Sequence, residues 1–208
     1  MANVKLTKNE LKKQKDQLRQ FQRYLPTLQL KKQQLQMVIR QIMQEVTHYR
    51  NEQKQIIEAL QKWVAVFNEN KLFPGVKNLA ELVHVEKVER ARGNIAGVPI
   101  PVFKHLVFKN SPYDLLEYPM WVDQGIDMLR TIARFDAIIT TLITQIELLE
   151  RELRVTSQRV NLFEKVKIPQ TKEHIRMIGI YLGDQQTAAV VRGKIAKRKL
   201  ISLVAEVL

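Results

Sequence analysis

From Leu11 onward apolar side chains recur in alternating steps of three and four: Leu11, Leu18, Phe21, Leu25, Leu28, Leu35, Ile39, Ile42, Val46, Tyr49, Ile56, Leu60, Trp63 and Phe67. Only Gln14, Lys32 and Gln53 interrupt the ladder. A mean period of 3.5 held over about eight heptads keeps one narrow stripe turned toward a partner, the pattern of a helix wound into a left-handed coiled coil. At 1.5 Å per residue such a helix is roughly 85 Å long, so the ladder predicts a rod and not a compact globule. Thr7 followed by Glu10 forms a capping-box pattern, which predicts a helix start near Lys8. Pro26 removes the bond to the Gln22 carbonyl, at about 3 kcal/mol, yet Leu25 and Leu28 keep register across it. A kink or local opening is expected there, not a stop. Asn68, Asn70 and Phe73-Pro74-Gly75 end the segment, giving a first helical region over 1–70.

Residues 71–118 change period. Val83-His84-Val85 alternates, as do Val98, Ile100 and Val102, with Gly93-Asn94 and Gly97 between them. This predicts a hairpin with strands near 82–90 and 98–103 and a loop of several residues at its tip. Pro99 and Pro101 are expected to confine the second strand to an edge or to end it early. Two strands alone are marginal in water, so the hairpin must lean on helices. Ser111 to Tyr118 reads as the return loop.

Pro119 suits the first turn of a second helix. Its ladder is Trp121, Gly125, Met128, Ile132, Phe135, Ile139, Leu142, Ile146, Leu149, Leu153, Thr156, Val160 and Phe163. Glu147 with Arg151 and Glu150 with Arg154 stand at i, i+4 spacing in the favourable order. Ile168-Pro169 is expected to interrupt the helix, and Ile175, Ile178 and Leu182 resume an apolar face beyond it, with Gly179, Gly183 and Gly193 weakening it. The predicted fold is therefore dominated by α-helix: a long antiparallel two-helix coiled coil with a short β-hairpin at the connecting end. Residues 119–208 form its second arm and end in a basic tail.

The net charge of +13 is uneven. Residues 1–40 carry ten Lys/Arg against two acids and residues 151–208 carry twelve against five, whereas residues 41–150 carry twelve against fourteen. Folding the chain back on itself brings both basic ends to one tip. The absence of cysteine excludes disulfides and a thiolate site, and no apolar window is long enough to span a bilayer, so a soluble chain is expected. Neither a signal peptide nor membrane insertion is expected. His48, His84, His105 and His174 are scattered without a second ligand at helical spacing, and Gly93 and Gly97 lack the Lys-Ser/Thr of a phosphate loop. Trp63 and Trp121 read as core or hinge residues. No catalytic residue, cofactor site or metal site is indicated. The basic tip fits a solvated tail, a nucleic-acid arm or a protein socket of opposite sign. A prefoldin-like chaperone subunit also joins two helices through strands.

Four stretches resemble the D subunits of the V-type rotary ATPases, the central rotor shafts. Leu6 to Lys12 is similar to the family's start, and Leu28 through Lys31-Lys32 to Leu35 to its basic segment. Asn94 to Val98 with Ile100-Pro101-Val102 resembles its hairpin. Arg159-Val160-Asn161 with Glu164, Val166, Ile168 and Pro169, followed by Arg192, Lys194 and Lys197, resembles its Arg-Val-Asn to Ile-Pro run and later basic residues. Gly97, Pro101, Arg159, Val160, Asn161, Ile168 and Pro169 are the positions that carry the motifs.

The resemblance implies a non-catalytic subunit of an ion-translocating ATPase, cytoplasmic and peripheral to the membrane, and a monomer in isolation. It implies a hexamer of catalytic and regulatory ATPase subunits around the terminal end, a small central-stalk subunit on the body, and a membrane-side cap subunit at the hairpin end. It implies no nucleic acid. The expected hexamer contacts are Lys5, Lys8, Lys12, Lys13, Lys15, Arg192, Lys194, Lys197, Arg198 and Lys199.

Overall fold

The computed structural model describes residues 4–62, 82–109 and 121–207. In order these form helix α1 (Lys8–Lys62), strands β1 (His84–Ile95) and β2 (Val98–Lys109), helix α2 (Val122–Asn161), a π-helical turn (Leu162–Lys167) and helix α3 (Ile168–Val207). The expected end of the first helix near Asn70, Trp63 and Phe67, the Pro119 helix start and the return loop over 111–118 lie outside the described residues.

α1 starts where the cap predicts. The Thr7 hydroxyl accepts the Glu10 N–H at 3.3 Å, while the Glu10 carboxylate accepts from Gln14 Nε2 at 2.8 Å instead of turning back to the cap. That bond lets Gln14 occupy a ladder position at 9 % exposure, since a buried amide must keep a partner. The helix continues through Pro26, and the Thr27 hydroxyl donates to the Tyr24 carbonyl at 2.7 Å beside it.

The chain divides into two compact units, one made of Met1–Lys31 with Thr156–Leu208 and one of Lys32–Val155. In the second, here the hairpin unit, the ladders of α1 and α2 face each other antiparallel. The rings of Tyr49 and Phe135 lie 5.9 Å apart and Gln53 Nε2 donates to Asp136 Oδ1 at 2.7 Å, so this polar rung is also satisfied. Leu35, Ile39 and Ile42 of α1 and Leu149 of α2 form the core, and Val98 and Ile100 of the hairpin pack into it with Ile95. The hairpin tip thus lies against the seam as a third element, which supplies the support two strands need. A smaller cluster of Leu82, Val122 and Ile126, with Val83 and Trp121 against it, packs at the other end of the hairpin.

Both strands are twelve residues long, and pairing runs from Ile95 with Val98 to His84 with Lys109. They extend beyond the expected 82–90 and 98–103 because register shifts at Val85/Lys87 and Glu89/Arg90 break the period of two that marks a strand in sequence. The turn is two residues, not several: Ala96 and Gly97 both take positive φ, 51° and 83°, as a hairpin turn matched to strand twist requires. Asn94 Oδ1 accepts the Gly97 N–H at 2.9 Å and closes it. Gly93 has no room for a side chain, since a Cβ there would stand 2.8 Å from Val102 Cγ2. The Pro101 carbonyl accepts from Gln145 of α2, so this residue's polar edge faces the helix and its missing N–H costs no ladder bond.

In the terminal unit α1 meets the π turn through one aromatic pair. The rings of Phe21 and Phe163 are 5.3 Å apart. The α-helix is interrupted just ahead of Ile168-Pro169, by a π turn over Leu162–Lys167 and not by an end to the helical path. The path widens: the Ile168 N–H bonds the Phe163 carbonyl five residues back. The packed positions accordingly run Val160, Phe163, Ile168, Thr171, Ile175, Ile178, Leu182, with one step of five among steps of three and four. Proline explains the widening, because its ring crowds the carbonyl four residues back in an α-helix and it brings no N–H to it. Among the described residues the Glu147–Arg151 and Glu150–Arg154 ion pairs do not form; exposed pairs gain too little to fix two long side chains.

Candidate functional site

The terminal unit concentrates the charge. It contains eighteen Lys/Arg against six acids, net +12, while the hairpin unit has sixteen against fifteen, net +1. Lys5 precedes α1, and Lys8, Lys12, Lys13 and Lys15 stand exposed on its first two turns. Lys8, Lys12 and Lys15 line a shallow concavity with Leu11, Asp16 and Arg19, because steps of four, three and four keep them on one face. Arg19 belongs to this row and its spacing from Lys15 is the signal that identifies it.

Arg192, Lys194, Lys197, Arg198 and Lys199 are exposed on α3. The structure does not bring the two basic groups to one level. Burial on α3 stops at Leu182, and every residue over 183–201 is exposed. Arg192 stands ten residues past Leu182, about 15 Å further along the helix at 1.5 Å per residue. The expected meeting of both ends at one tip is therefore a stagger, with α3 outrunning the described part of α1. Of the ten expected contact residues, all but Lys199 make no ion pair among the described residues, so their charge faces outward unneutralised. Arg176 does pair, donating to Glu173 at 2.6 Å, and this hydrogen bond holds the Glu173 carboxyl below the usual carboxylate range and raises the Arg176 guanidinium.

The exposed stretch of α3 is graded along its length. Residues 185–191, Gln-Gln-Thr-Ala-Ala-Val-Val, carry no charge; the basic run follows. Val190, Val191, Ile195, Leu200 and Ile201 are each half or more exposed. A helix in water normally hides such side chains on one packed face, and this one has no face covered by its own unit.

The motif positions are spread over the turn, the strands and the junction of α2 with the π turn. Gly97 holds the turn, Pro101 the bond to Gln145, Val160 is buried beside the aromatic pair, and Arg159 and Asn161 are exposed where α2 gives way to the π turn that Ile168 and Pro169 close. Gln145, buried at 6 % exposure, carries no sequence signal of its role, since it lies off the apolar ladder.

Among the described residues no group of three His, Asp or Glu side chains could hold a metal ion, and no helix is long and apolar enough to cross a membrane.

A model of one family, the ATP synthase D subunits, matches residues 10–198. The chain belongs to that family. It is 51 % identical over 201 residues to the V-type ATP synthase D subunit of Borreliella burgdorferi, covering 97 % of this chain and 96 % of that one. It is 34 % identical to the V-type ATP synthase D subunit of Chlamydia caviae, covering 96 % and 94 %, and 31 % identical to that of Chlamydia trachomatis serovar L2, covering 96 % and 97 %. The matched span takes in both ladders, the hairpin and all but the last of the five cations on α3. Membership, not periodicity, separates this coiled coil from a prefoldin-like one or a nucleic-acid arm.

Proposed function

We propose that the chain works as a turning shaft. As a member of the D-subunit family it is a central-stalk component of a V-type rotary ATPase. Its own part is mechanical and non-catalytic: it carries torque between a hexamer of catalytic and regulatory nucleotide-binding subunits and the ring that moves ions across the membrane. The free end of α3 enters the hexamer's cavity, with Lys5, Lys8, Lys12, Lys13, Lys15, Arg192, Lys194, Lys197, Arg198 and Lys199 as the contact set. The small central-stalk subunit sits on the body and the membrane-side cap subunit beyond the hairpin unit. The assembly is peripheral to the membrane, on the cytoplasmic side.

The observation that carries this reading is the α3 stretch over 183–201, exposed on every side and apolar at several points. An uncharged collar over 185–191 slides past apolar walls without fixed partners, and Arg192, Lys194, Lys197 and Arg198 beyond it attract acidic groups without locking to one subunit. The test is co-expression with catalytic and regulatory subunits. One copy of the full chain per hexamer, and a chain ended at Val191 that stays helical but loses ATP-driven ion pumping, is the expected result. A hexamer that assembles and pumps equally well without this chain refutes the reading.

A further inference from the structure

Two backbone defects meet at one level of the terminal unit. In α1, Pro26 has no N–H for the carbonyl of Gln22, the residue next to Phe21. On the facing helical path, Phe163 lies within the π turn Leu162–Lys167, which is followed by Pro169 with no N–H for Lys165. Phe21 and Phe163 are the residues that touch, at 5.3 Å between ring centres. None of the six π-turn residues is buried, and Leu162 and Val166 are 44 % and 49 % exposed. Packing is firmer on both sides: Thr156 and Val160 before the turn, and Thr171 and Ile178 after it, are at most 5 % exposed, with the Thr171 hydroxyl donating to the Lys167 carbonyl at 2.7 Å.

We propose that this level is a torsional joint, where the basic end of the terminal unit twists relative to the rest of that unit. A π turn contains one residue more than an α-turn needs, and its wider hydrogen-bond ring is easily rewound. Winding or unwinding it rotates everything beyond by a fraction of the roughly 100° that one residue spans. α1 follows because its own ladder is open at Gln22. The Phe21–Phe163 contact is the pivot: two tilted rings slide over each other with little loss of area, whereas interlocked branched side chains do not. The extra residue is also what keeps the seam in phase, since without the step of five Ile168, Thr171, Ile175 and Ile178 fall out of line with Phe163 unless the turn closes to α.

The joint is a property of the chain alone, so its failure leaves the assembly result untouched. Hydrogen exchange by mass spectrometry on the full chain tests it. Amides over 22–28 and 163–171 are expected to exchange roughly tenfold or more faster than those over 10–17 and 152–160. Removing Lys165 together with Pro169→Ala, which returns the missing N–H and the room to close, deletes one residue from the π turn and restores steps of three and four. Exchange over 162–170 then slows to that of the flanks, while thermal stability stays level or rises. Pro26→Ala slows exchange over 22–26. Uniform exchange in the unaltered chain overturns the proposal. So does loss of stability or folding on removing Lys165 together with Pro169→Ala, which is what a one-residue phase error causes in an ordinary packed helix.

Discussion

Leu149→Ala probes the packing of the hairpin unit most directly. Leu149 is fully buried and contributes to the one cluster, among the described residues, that joins α1, α2 and the hairpin tip. Truncation removes three carbons, about 2.4 kcal/mol at about 0.8 kcal/mol each, and leaves a cavity that rigid neighbours on three elements cannot close. The cavity adds about 1 kcal/mol, giving roughly 3 to 4 kcal/mol in total. For a chain of this size that lowers the melting midpoint by roughly 6 to 16 °C. Circular dichroism at 222 nm measures the midpoint, and hydrogen exchange locates the loss: amides over 95–102 lose protection along with those of the helices. Leu200→Ala, on a side chain 64 % exposed, shifts the midpoint by less than about 2 °C. Equal effects of the two substitutions, or hairpin protection untouched by Leu149→Ala, refutes the three-element core.

Replacing Lys194, Lys197 and Arg198 together by Glu leaves helicity and melting unchanged, because none has an ion partner among the described residues, but lowers hexamer affinity in a pull-down and removes most of its salt dependence. Gly97→Val destabilises by about 1 to 2 kcal/mol in urea unfolding, since φ of +83° strains a branched residue. Gln145→Leu costs about 1 to 3 kcal/mol by the same assay, because it leaves the Pro101 carbonyl without its donor beside the hairpin. Glu173, with its carboxyl held low by Arg176, contributes stability that is present above the unfolded carboxylate range and is lost as pH falls through the folded value. By NMR it titrates below the usual carboxylate range, and Arg176→Ala moves it back up.

The start of α1, both ladders and the presence of a hairpin are legible in sequence because each rests on a local rule: a cap, a period, an alternation. What sequence hides is phase. The π turn adds a single residue, and a ladder that slips by one looks like a ladder that has ended, which is why Ile168-Pro169 reads as a break. The register shifts in β1 do the same to the strand pattern, so its ends are misjudged. Ala96 conceals the turn because alanine rarely takes positive φ, whereas Gly93-Asn94 imitates one. The basic residues are evident from composition, yet their stagger depends on where α3 outruns α1. That depends on the register between two segments whose ladders fit equally well one heptad along.

That register also governs how the chain is made. Phe21 and its partner Phe163 are 142 residues apart, so the apolar face from Leu11 to Leu28 has no mate until the ribosome has passed Phe163. At about 5 to 20 residues per second this is a wait of roughly 7 to 28 s. The Lys/Arg row alongside that face, Lys8 to Arg19, keeps the waiting segments of neighbouring nascent chains apart by like-charge repulsion. The row from Lys8 to Arg19 thus carries its charge for the whole interval in which the apolar face beside it has no mate.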